Sequence, residues 1–176
     1  MVKVLVIRLG GDDPKKSTAL KLVRLGLAEL LPSFRSVPRG AVVLDPFSPT
    51  VLTPADREHI ASSGLVVIDG SWNTDIDQIR KLSRTLRGVH RVLPVLKAGN
   101  PINYGILTKL SSAEAVAAAL YITGFVNEAL KVLSKFKWGH TFFELNSGLL
   151  DSYRSASSVD EVMRIQEDVL KRHGLL

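Results

Sequence analysis

The residues best suited to bind a small polar ligand lie in four loops, each following a run of apolar residues typical of a buried strand. These loops cover residues 9–17, 45–52, 69–73 and 97–105. In open parallel sheets, ligands bind beyond the carboxyl ends of the strands. We therefore expect the four loops to lie at one edge of a sheet and to build a single site.

The third loop combines a carboxylate with an aromatic ring in the sequence Asp69-Gly70-Ser71-Trp72. The carboxylate offers negative charge and the indole offers an apolar plate. An organic cation such as a sulfonium would gain on the order of 1–2 kcal/mol over the Trp72 ring when desolvated. A core tryptophan beside a helix-capping Asp69 explains the same residues equally well.

Two predicted helix starts could hold a small anion. Ser17 with Thr18, and Ser111 with Ser112, each place hydroxyl groups beside free backbone N–H groups at the positive end of a helix dipole. Such a position suits a carboxylate. Ordinary helix capping is the commoner explanation of either pair alone.

Two groups of basic residues have spacings that suit a polyanion. The first is a row of arginines spaced four, three and four, which forms one helix face if the helix reaches its last member: Arg80, Arg84, Arg87 and Arg91. The second lies at the first loop and helix: Lys15, Lys16, Lys21 and Arg24. Such rows can follow a phosphate backbone, and arginine favours RNA as the partner. A solvated helix face is the alternative interpretation.

The composition excludes several kinds of chemistry. The chain has no cysteine, which excludes disulfides, thiolate metal sites and a cysteine nucleophile. Its four histidines form no metal-binding pattern, so we expect no metal. The GxGxxG, GxxxxGK[ST] and GxSxG signatures are also absent. The net charge of +6 is consistent with binding to RNA.

No segment resembles a membrane span or a signal peptide. The apolar stretches are shorter than the roughly 20 residues needed to cross a bilayer. The apolar N-terminus is too short for a signal peptide, and no cleavage site follows it. We therefore expect a cytoplasmic protein that makes no membrane contact.

The first half of the chain alternates predicted strands and helices. Apolar runs predict buried strands over residues 2–8, 41–44, 65–69 and 92–96. A helix is expected from Ser17 or Thr18 to Leu30, and Thr53-Pro54 has the form of a second helix start. A third helix is expected after the Trp72 loop. Continuous apolar strands separated by helices predict a parallel sheet covered on both faces. This α/β lobe is expected to span residues 1–97.

The second half is predicted to be mainly helical. A single long helix is expected over residues 111–133, with Ser111 and Glu114 as a capping box and a body that is apolar on nearly every side. Further helices are predicted over residues 137–153 and from Ser158, with Glu161 as its box partner. We expect residues 98–176 to form a helical lobe packed closely on the first.

Several motifs, taken together in order, resemble one enzyme family. They are residues 13–18 (DPKKST), 44–46 (LDP), 69–72 (DGSW), 93–94 (LP), 99–105 (GNPINYG), 109–115 (KLSSAEA), 136–140 (FKWGH) and 143–146 (FELN). Over residues 2–153 the chain resembles the small-subunit ribosomal RNA aminocarboxypropyltransferases. The long block over residues 99–115 is the most specific part of this resemblance.

The resemblance implies both a fold and a reaction. The family is similar to the SPOUT class of RNA methyltransferases, whose C-terminal part forms a trefoil knot. Its members transfer the 3-amino-3-carboxypropyl group of S-adenosylmethionine to N3 of a modified uridine in small-subunit ribosomal RNA. Methylthioadenosine is released and no metal is required. The implied partner is ribosomal RNA or a pre-ribosomal particle, and we expect the protein to be a monomer.

The resemblance also assigns roles to individual residues. Thr18 and the backbone of Ser112 would hold the carboxylate of S-adenosylmethionine, and the backbone of Ile68 its ribose hydroxyls. Backbone groups at Leu93 and Thr108 would contact the adenine edge. Trp72 would cover the methyl group, and Asp69 would act as a base or an electrostatic partner. The residues that would pack against the adenine faces are Leu44, Pro46, Leu110 and Ala115.

The chain departs from the family pattern at two glycines. Many relatives have cysteine in place of Gly70 and alanine in place of Gly99; neither change removes an implied contact. A methyltransferase of the same fold and a non-catalytic RNA-binding protein of ribosome assembly are the alternative functions. A methyltransferase would release S-adenosylhomocysteine, and a non-catalytic module would not bind S-adenosylmethionine.

Overall fold

A computed structural model describes residues 1–11 and 13–176. Among them, the strands are β1 Val4–Arg8, β2 Glu29–Leu30, β3 Val42–Leu44, β4 Leu65–Asp69 and β5 Val89–Arg91. The α-helices of the described residues are α1 Thr18–Arg24, α2 Arg57–Ser63, α3 Ile76–Thr85, α4 Ser112–Ile122, α5 Val126–Leu133, α6 Gly139–Ser155 and α7 Val159–Arg172. Asp12, part of the predicted first loop, lies outside the described residues.

The five strands form one parallel sheet in the order β2-β1-β4-β3-β5. This confirms the parallel sheet predicted from the apolar runs. The connection from β1 leads to β2 on one side, and the connection from β4 leads to β5 on the other. The chain therefore changes direction between β1 and β4, and the crevice at the carboxyl ends of two such strands is where α/β proteins bind ligands. In the register of these strands, Arg8 lies opposite Asp69.

The fourth predicted strand, over residues 92–96, is wrong. The strand at this edge of the sheet is β5, Val89–Arg91, whose residues are all half-buried. The apolar run begins only after it, and Val95 and Leu96 are buried without belonging to the sheet. Hydrophobicity alone indicates burial, so it does not distinguish a central strand from a buried loop.

Two predicted helices are too long, because each ends early at a glycine. The first ends at Arg24, so that Leu30 lies in β2, and the helix predicted over residues 111–133 divides into α4 and α5. Gly26 and Gly124 follow the ends of α1 and α4 with φ of +76° and +94°. The amide after each glycine donates to a carbonyl in the last turn: Leu27 to Leu22 at 2.9 Å, and Phe125 to Leu120 at 2.8 Å. These are glycine-terminated Schellman caps.

The remaining helices agree more closely with the prediction. The alanine-rich α4 is buried over most of its surface, as its apolar pattern indicates. The helix predicted over residues 137–153 is α6, Gly139–Ser155. Ser158 caps α7 by accepting from the Glu161 amide at 3.1 Å. At the predicted Thr53-Pro54 start, the chain forms a 3-10 turn, Pro54–Asp56, before α2.

The chain divides into two compact units. The first unit comprises Met1–Thr50 and Arg57–Val92, and contains the sheet. The second unit comprises Val51–Asp56 and Leu93–Leu176, and contains α4 to α7. The predicted lobes, residues 1–97 and 98–176, stay a prediction about domain organisation.

Candidate functional site

In the first unit, Asp69 is bound by two side chains at the point where the chain changes direction. It is buried at the carboxyl end of β4. Its Oδ2 accepts from Arg8 Nη1 at 2.6 Å and from Ser17 Oγ at 2.7 Å. Ser17 also caps α1 by accepting from the Leu20 amide at 3.1 Å. One buried carboxylate thus joins the ends of two strands to the start of the first helix.

The loop after β4 presents Trp72 on the surface. Trp72 is 52% exposed, so it is not a core residue. Asp75 fixes the turn, because its Oδ2 accepts from the Ser71 amide at 2.7 Å while its own amide donates to the Ser71 carbonyl. Gly11 packs so closely on the Asp75 side chain that a Cβ at Gly11 would overlap it. The ring is therefore held on an ordered loop and is available to a ligand.

A second buried carboxylate orders the loop after β3. Asp45 Oδ2 accepts from Ser83 Oγ of α3 at 2.6 Å and contacts His90 Nδ1 of β5 at 2.8 Å. Its Oδ1 accepts from the Phe47 amide at 2.8 Å. The other ring nitrogen of His90 contacts the Leu86 carbonyl at 2.6 Å. Both ring nitrogens of His90 thus contact oxygen atoms, so the ring links the loop after β3 to the end of α3.

The other residues predicted for the site in this unit also lie near the carboxyl ends of strands. Thr18 is the first residue of α1 and is half-buried. Leu44 ends β3, and Pro46 is exposed in the loop that follows. Ile68 is the residue before the last in β4 and is partly buried against the hydrophobic core. Lys15 and Lys16 are exposed in the 3-10 turn that precedes α1.

The arginine row is not one helix face. Arg80 and Arg84 lie on α3, which ends at Thr85, whereas Arg87 lies in the next loop and Arg91 ends β5. The condition set for a single face, a helix reaching Arg91, is therefore not met. Leu86 leaves the helix with extended backbone, which starts the turn into β5. Arg91 Nη1 donates to the His90 carbonyl at 2.9 Å.

In the second unit, Glu114 organises the long motif over residues 99–115. It is fully buried. Its carboxylate accepts from the Gly99 amide at 2.7 Å, the Asn100 side chain at 2.7 Å and the Ser111 amide at 2.9 Å. The capping box at Ser111 is thus confirmed, and the same carboxylate also anchors the loop before it. One carboxylate thus links residues 99–100 to the start of α4.

Buried side chains of the C-terminal helices hold residues 95–97. Asn146 Oδ1 accepts from the Lys97 amide, and its Nδ2 donates to the Lys97 carbonyl, both at 2.8 Å. Tyr153 donates to the Val95 carbonyl at 2.8 Å. Burial raises the pKa of the Tyr153 phenol, which keeps the hydroxyl protonated as a donor. The Asn146 side chain thus satisfies both the amide and the carbonyl of Lys97, as the backbone of a neighbouring strand would.

Thr108 adopts a backbone conformation that is rare for its residue type. Its φ is +65°, although it is β-branched, and its amide donates to the Leu96 carbonyl at 2.9 Å. Such strain costs on the order of 1–3 kcal/mol and occurs preferentially at functional sites. Leu93, Leu110, Ser112 and Ala115, the other predicted residues of this unit, are all half-buried.

Gly99 allows the loop to approach α6 closely. A Cβ built on Gly99 would lie 2.6 Å from the Phe142 amide nitrogen and 2.7 Å from its Cα. Because these are backbone atoms of a helix, we expect Gly99→Ala to lower the free energy of unfolding by about 2 kcal/mol. Chemical denaturation measures this change. Gly148→Ala on the same helix, where a Cβ meets nothing within 4 Å, is the control and should be stabilising or neutral; equal losses in both variants would contradict the close approach.

Among the described residues, no group of three or more acidic or histidine side chains could hold a metal ion. A search of the same residues finds no helix long and apolar enough to cross a membrane.

Sequence reasoning did not assign a role to five residues that order or line the loops: Arg8, Asp45, Phe47 and His90 in the first unit, and Asn146 in the second. One signal was readable, because an aspartate closes each of two apolar runs, VVLD and VVID: Asp45 directly follows β3, and Asp69 ends β4. Arg8 and His90 have no comparable signal, since their roles depend on strand pairing between distant segments.

A parallel sheet with ordered polar loops at its carboxyl edge defines the class of α/β enzymes that bind a small ligand at the sheet edge. The family model described as "Ribosome biogenesis protein, C-terminal" matches residues 42–170. The 16S rRNA aminocarboxypropyltransferase of Saccharolobus islandicus is 46% identical over 171 residues, covering 97% of this chain and 98% of the relative. The protein of the same name from Methanopyrus kandleri is 47% identical, covering 95% and 98%.

A solved structure agrees along nearly the same length. The SAM-dependent rRNA:acp-transferase Tsr3 from Vulcanisaeta distributa superimposes with a TM-score of 0.84 at 41% identity, covering 97% of each chain. This chain belongs to the family of 16S rRNA aminocarboxypropyltransferases. The resemblance predicted from the motifs is confirmed at the level of the family.

Proposed function

We propose that this protein transfers the 3-amino-3-carboxypropyl group of S-adenosylmethionine to N3 of a modified uridine in small-subunit ribosomal RNA. The observation that carries the proposal is the similarity to named aminocarboxypropyltransferases, at 41–47% identity over nearly the whole chain. The ordered loops at the carboxyl edge of the sheet and the basic character of the chain support it. S-Adenosylmethionine is a substrate here, and methylthioadenosine is its by-product.

The reaction requires positioning more than elaborate machinery. N3 of the uridine forms a bond to the γ-carbon of the carboxypropyl arm, and the bond between that carbon and sulfur breaks. Its electron pair neutralises the sulfonium, and the N3 proton leaves to a base or to water. Because the sulfonium is already a good leaving group, alignment of the reacting atoms supplies much of the rate.

The residue roles implied by the resemblance form part of this proposal. In the first unit, Thr18 is assigned to the substrate carboxylate, Ile68 to the ribose, Leu44 and Pro46 to the adenine faces, and Trp72 to the methyl group. In the second unit, Ser112 is assigned to the carboxylate, while adenine is assigned to Leu93, Thr108, Leu110 and Ala115. The exposure of Trp72 and the strained backbone of Thr108 support a ligand-binding role for these two residues.

Three further expectations stay proposals. We propose that the fold is SPOUT-like and contains a trefoil knot. The chain is proposed to act as a monomer on ribosomal RNA or a pre-ribosomal particle. The cytoplasm is proposed as its location.

Asp69 is proposed to act as a base or as an electrostatic partner, and the role as a base makes a specific prediction. General bases contribute about 10²- to 10⁴-fold, so Asp69→Asn should lower kcat by at least about 100-fold at saturating substrates. Arg8→Gln disturbs the same ion pair but keeps the carboxylate, and should lower kcat far less. Single-turnover transfer to ribosomal RNA measures both variants. Equal losses would show that Asp69 only positions β1 and α1.

A double-label experiment tests the proposed function. Small-subunit ribosomal RNA is incubated with the protein and S-adenosylmethionine labelled either in the carboxypropyl carbons or in the methyl group. Carboxypropyl label should enter the RNA, and methylthioadenosine should appear in equal amount. Methyl label in the RNA would instead establish a methyltransferase, while absence of both label transfer and cofactor binding would indicate a non-catalytic RNA-binding protein.

A further inference from the structure

Two exposed aromatic rings and an arginine meet at the carboxyl edge of the sheet. Phe47 follows β3 and Trp72 follows β4, which are neighbouring strands. Their ring centroids lie 5.9 Å apart in an edge-to-face arrangement. The guanidinium of Arg80 lies 5.1 Å from the centroid of Phe47. Phe47 is 36% exposed beside the even more exposed Trp72.

Buried hydrogen bonds preorganise this trio. Asp45 accepts from the Phe47 amide and from Ser83, which lies on α3 three residues after Arg80. One carboxylate therefore fixes both the loop that carries Phe47 and the helix that carries Arg80. Because Asp75 fixes the Trp72 loop independently, the rings remain ordered at the surface. Rigid exposed aromatic groups lose little conformational entropy when a flat ligand stacks on them.

The charge of Arg80 indicates which ligand Phe47 receives. Arg80 lies over the Phe47 ring and attracts a phosphate. Arg84 lies one helical turn further along α3 and extends the positive charge. A ligand with a flat aromatic base and an anionic backbone satisfies the rings and the arginines together, which is how unpaired nucleic acid is bound without sequence readout.

We propose that Phe47 and Arg80, next to Trp72, form a stacking site for an unpaired nucleobase of the ribosomal RNA substrate. Phe47 supplies the stacking surface, and Arg80 contacts the phosphate attached to that base. This inference rests on the proposed function, since it assigns the site to the RNA that receives the carboxypropyl group. Phe47 acts as a positioning residue, because it orders the RNA near the reacting atoms without taking part in the transfer.

Oligonucleotide binding tests the stacking directly. The probes are a fluorescent ten-nucleotide oligouridylate and an abasic oligonucleotide of equal length and charge. Loss of one base–aromatic contact weakens binding about tenfold, so Phe47→Ala should weaken oligouridylate binding by that factor and leave the abasic probe unchanged. Phe47→Trp should retain the preference for bases. Arg80→Gln should weaken both probes, because the phosphates are common to them.

Matched controls lie in the same unit. Phe34 is another exposed phenylalanine, which lines a pocket with Leu82 and Thr85 at the C-terminal end of α3, and Phe34→Ala should leave both probes unchanged. Lys3 is exposed at the opposite, amino-terminal edge of the sheet, and Lys3→Gln removes the same charge as Arg80→Gln. If Phe47→Ala and Phe34→Ala behave alike, or if Phe47→Ala weakens both probes equally, the stacking site is wrong.

Transfer assays separate this inference from the proposed function. In an active enzyme, Phe47→Ala should raise the KM for ribosomal RNA about tenfold and change the affinity for S-adenosylmethionine much less. A larger loss of S-adenosylmethionine affinity would place Phe47 in the cofactor site and overturn the inference. If the wild-type protein transfers no carboxypropyl label, the proposed function fails, whereas the oligonucleotide titration still decides whether Phe47 stacks on bases.

Discussion

Replacing Glu114 with alanine is expected to lower the free energy of unfolding by about 4 kcal/mol, because it leaves buried amide donors without an acceptor. The amides of Gly99 and Ser111 lose their partner, whereas Asn100 keeps a second bond to the Lys109 carbonyl. Native proteins are stable by only about 5–15 kcal/mol, so this is a large effect. Urea denaturation followed by circular dichroism measures it.

The N-terminus of α7 provides a matched control, because Ser158 caps it but the Glu161 carboxylate does not complete a capping box. Glu161 occupies the same position in α7 as Glu114 does in α4, but it is exposed and bonds only to Ser157 at the surface. Glu161→Ala should therefore cost much less stability than Glu114→Ala. Glu114→Gln, which keeps one acceptor oxygen, should be intermediate. A loss at Glu161 as large as that at Glu114 would contradict the role of Glu114 as a buried anchor for the loop.

Trp72→Ala is expected to raise the Kd for S-adenosylmethionine about tenfold, which corresponds to the 1–2 kcal/mol of a desolvated cation–π contact. The ring is exposed on an ordered loop, so its removal leaves a gap at the surface and little strain in the core. Calorimetric titration measures the affinity directly. Trp72→Phe keeps an aromatic face and should lose less.

Titration of the same variants with methylthioadenosine distinguishes a cation–π contact from simple apolar packing against Trp72. Methylthioadenosine lacks the positive charge of the sulfonium, so a cation–π contact predicts a smaller loss of its affinity in Trp72→Ala. Trp138→Ala, which removes the other tryptophan of the chain, controls for nonspecific effects. Equal losses for the two ligands would mean that the indole acts only as an apolar cover, and no loss for either would remove Trp72 from the site.

Local patterns were sufficient to predict the elements that depend on neighbouring residues. The apolar runs of β1, β3 and β4, the capping box at Ser111 and the Ser158 cap are all encoded within a few residues, whereas the predicted box partner Glu161 bonds to Ser157 instead of the Ser158 backbone. The glycines that end α1 and α4 were readable signals too, but the apolar residues beyond them suggested that each helix continued.

The site itself depended on distant parts of the chain. Asp69 was recognised as a notable carboxylate, but its bond to Arg8 follows from the pairing of strands 61 residues apart. Glu114 was identified as half of a capping box, whereas its contacts with Gly99 and Asn100 arise only when the preceding loop folds back. Short-range periodicity contains no information about such contacts.

The bonds around residues 95–97 also set an order for folding during synthesis. Lys97 needs Asn146, which lies 49 residues later, and Val95 needs Tyr153 and Gln166, which lie 58 and 71 residues later. These backbone groups therefore stay open to water until the ribosome has released the last two helices. A nascent chain stopped before residue 146 should keep this segment sensitive to proteases, even where the sheet of the first unit has already formed.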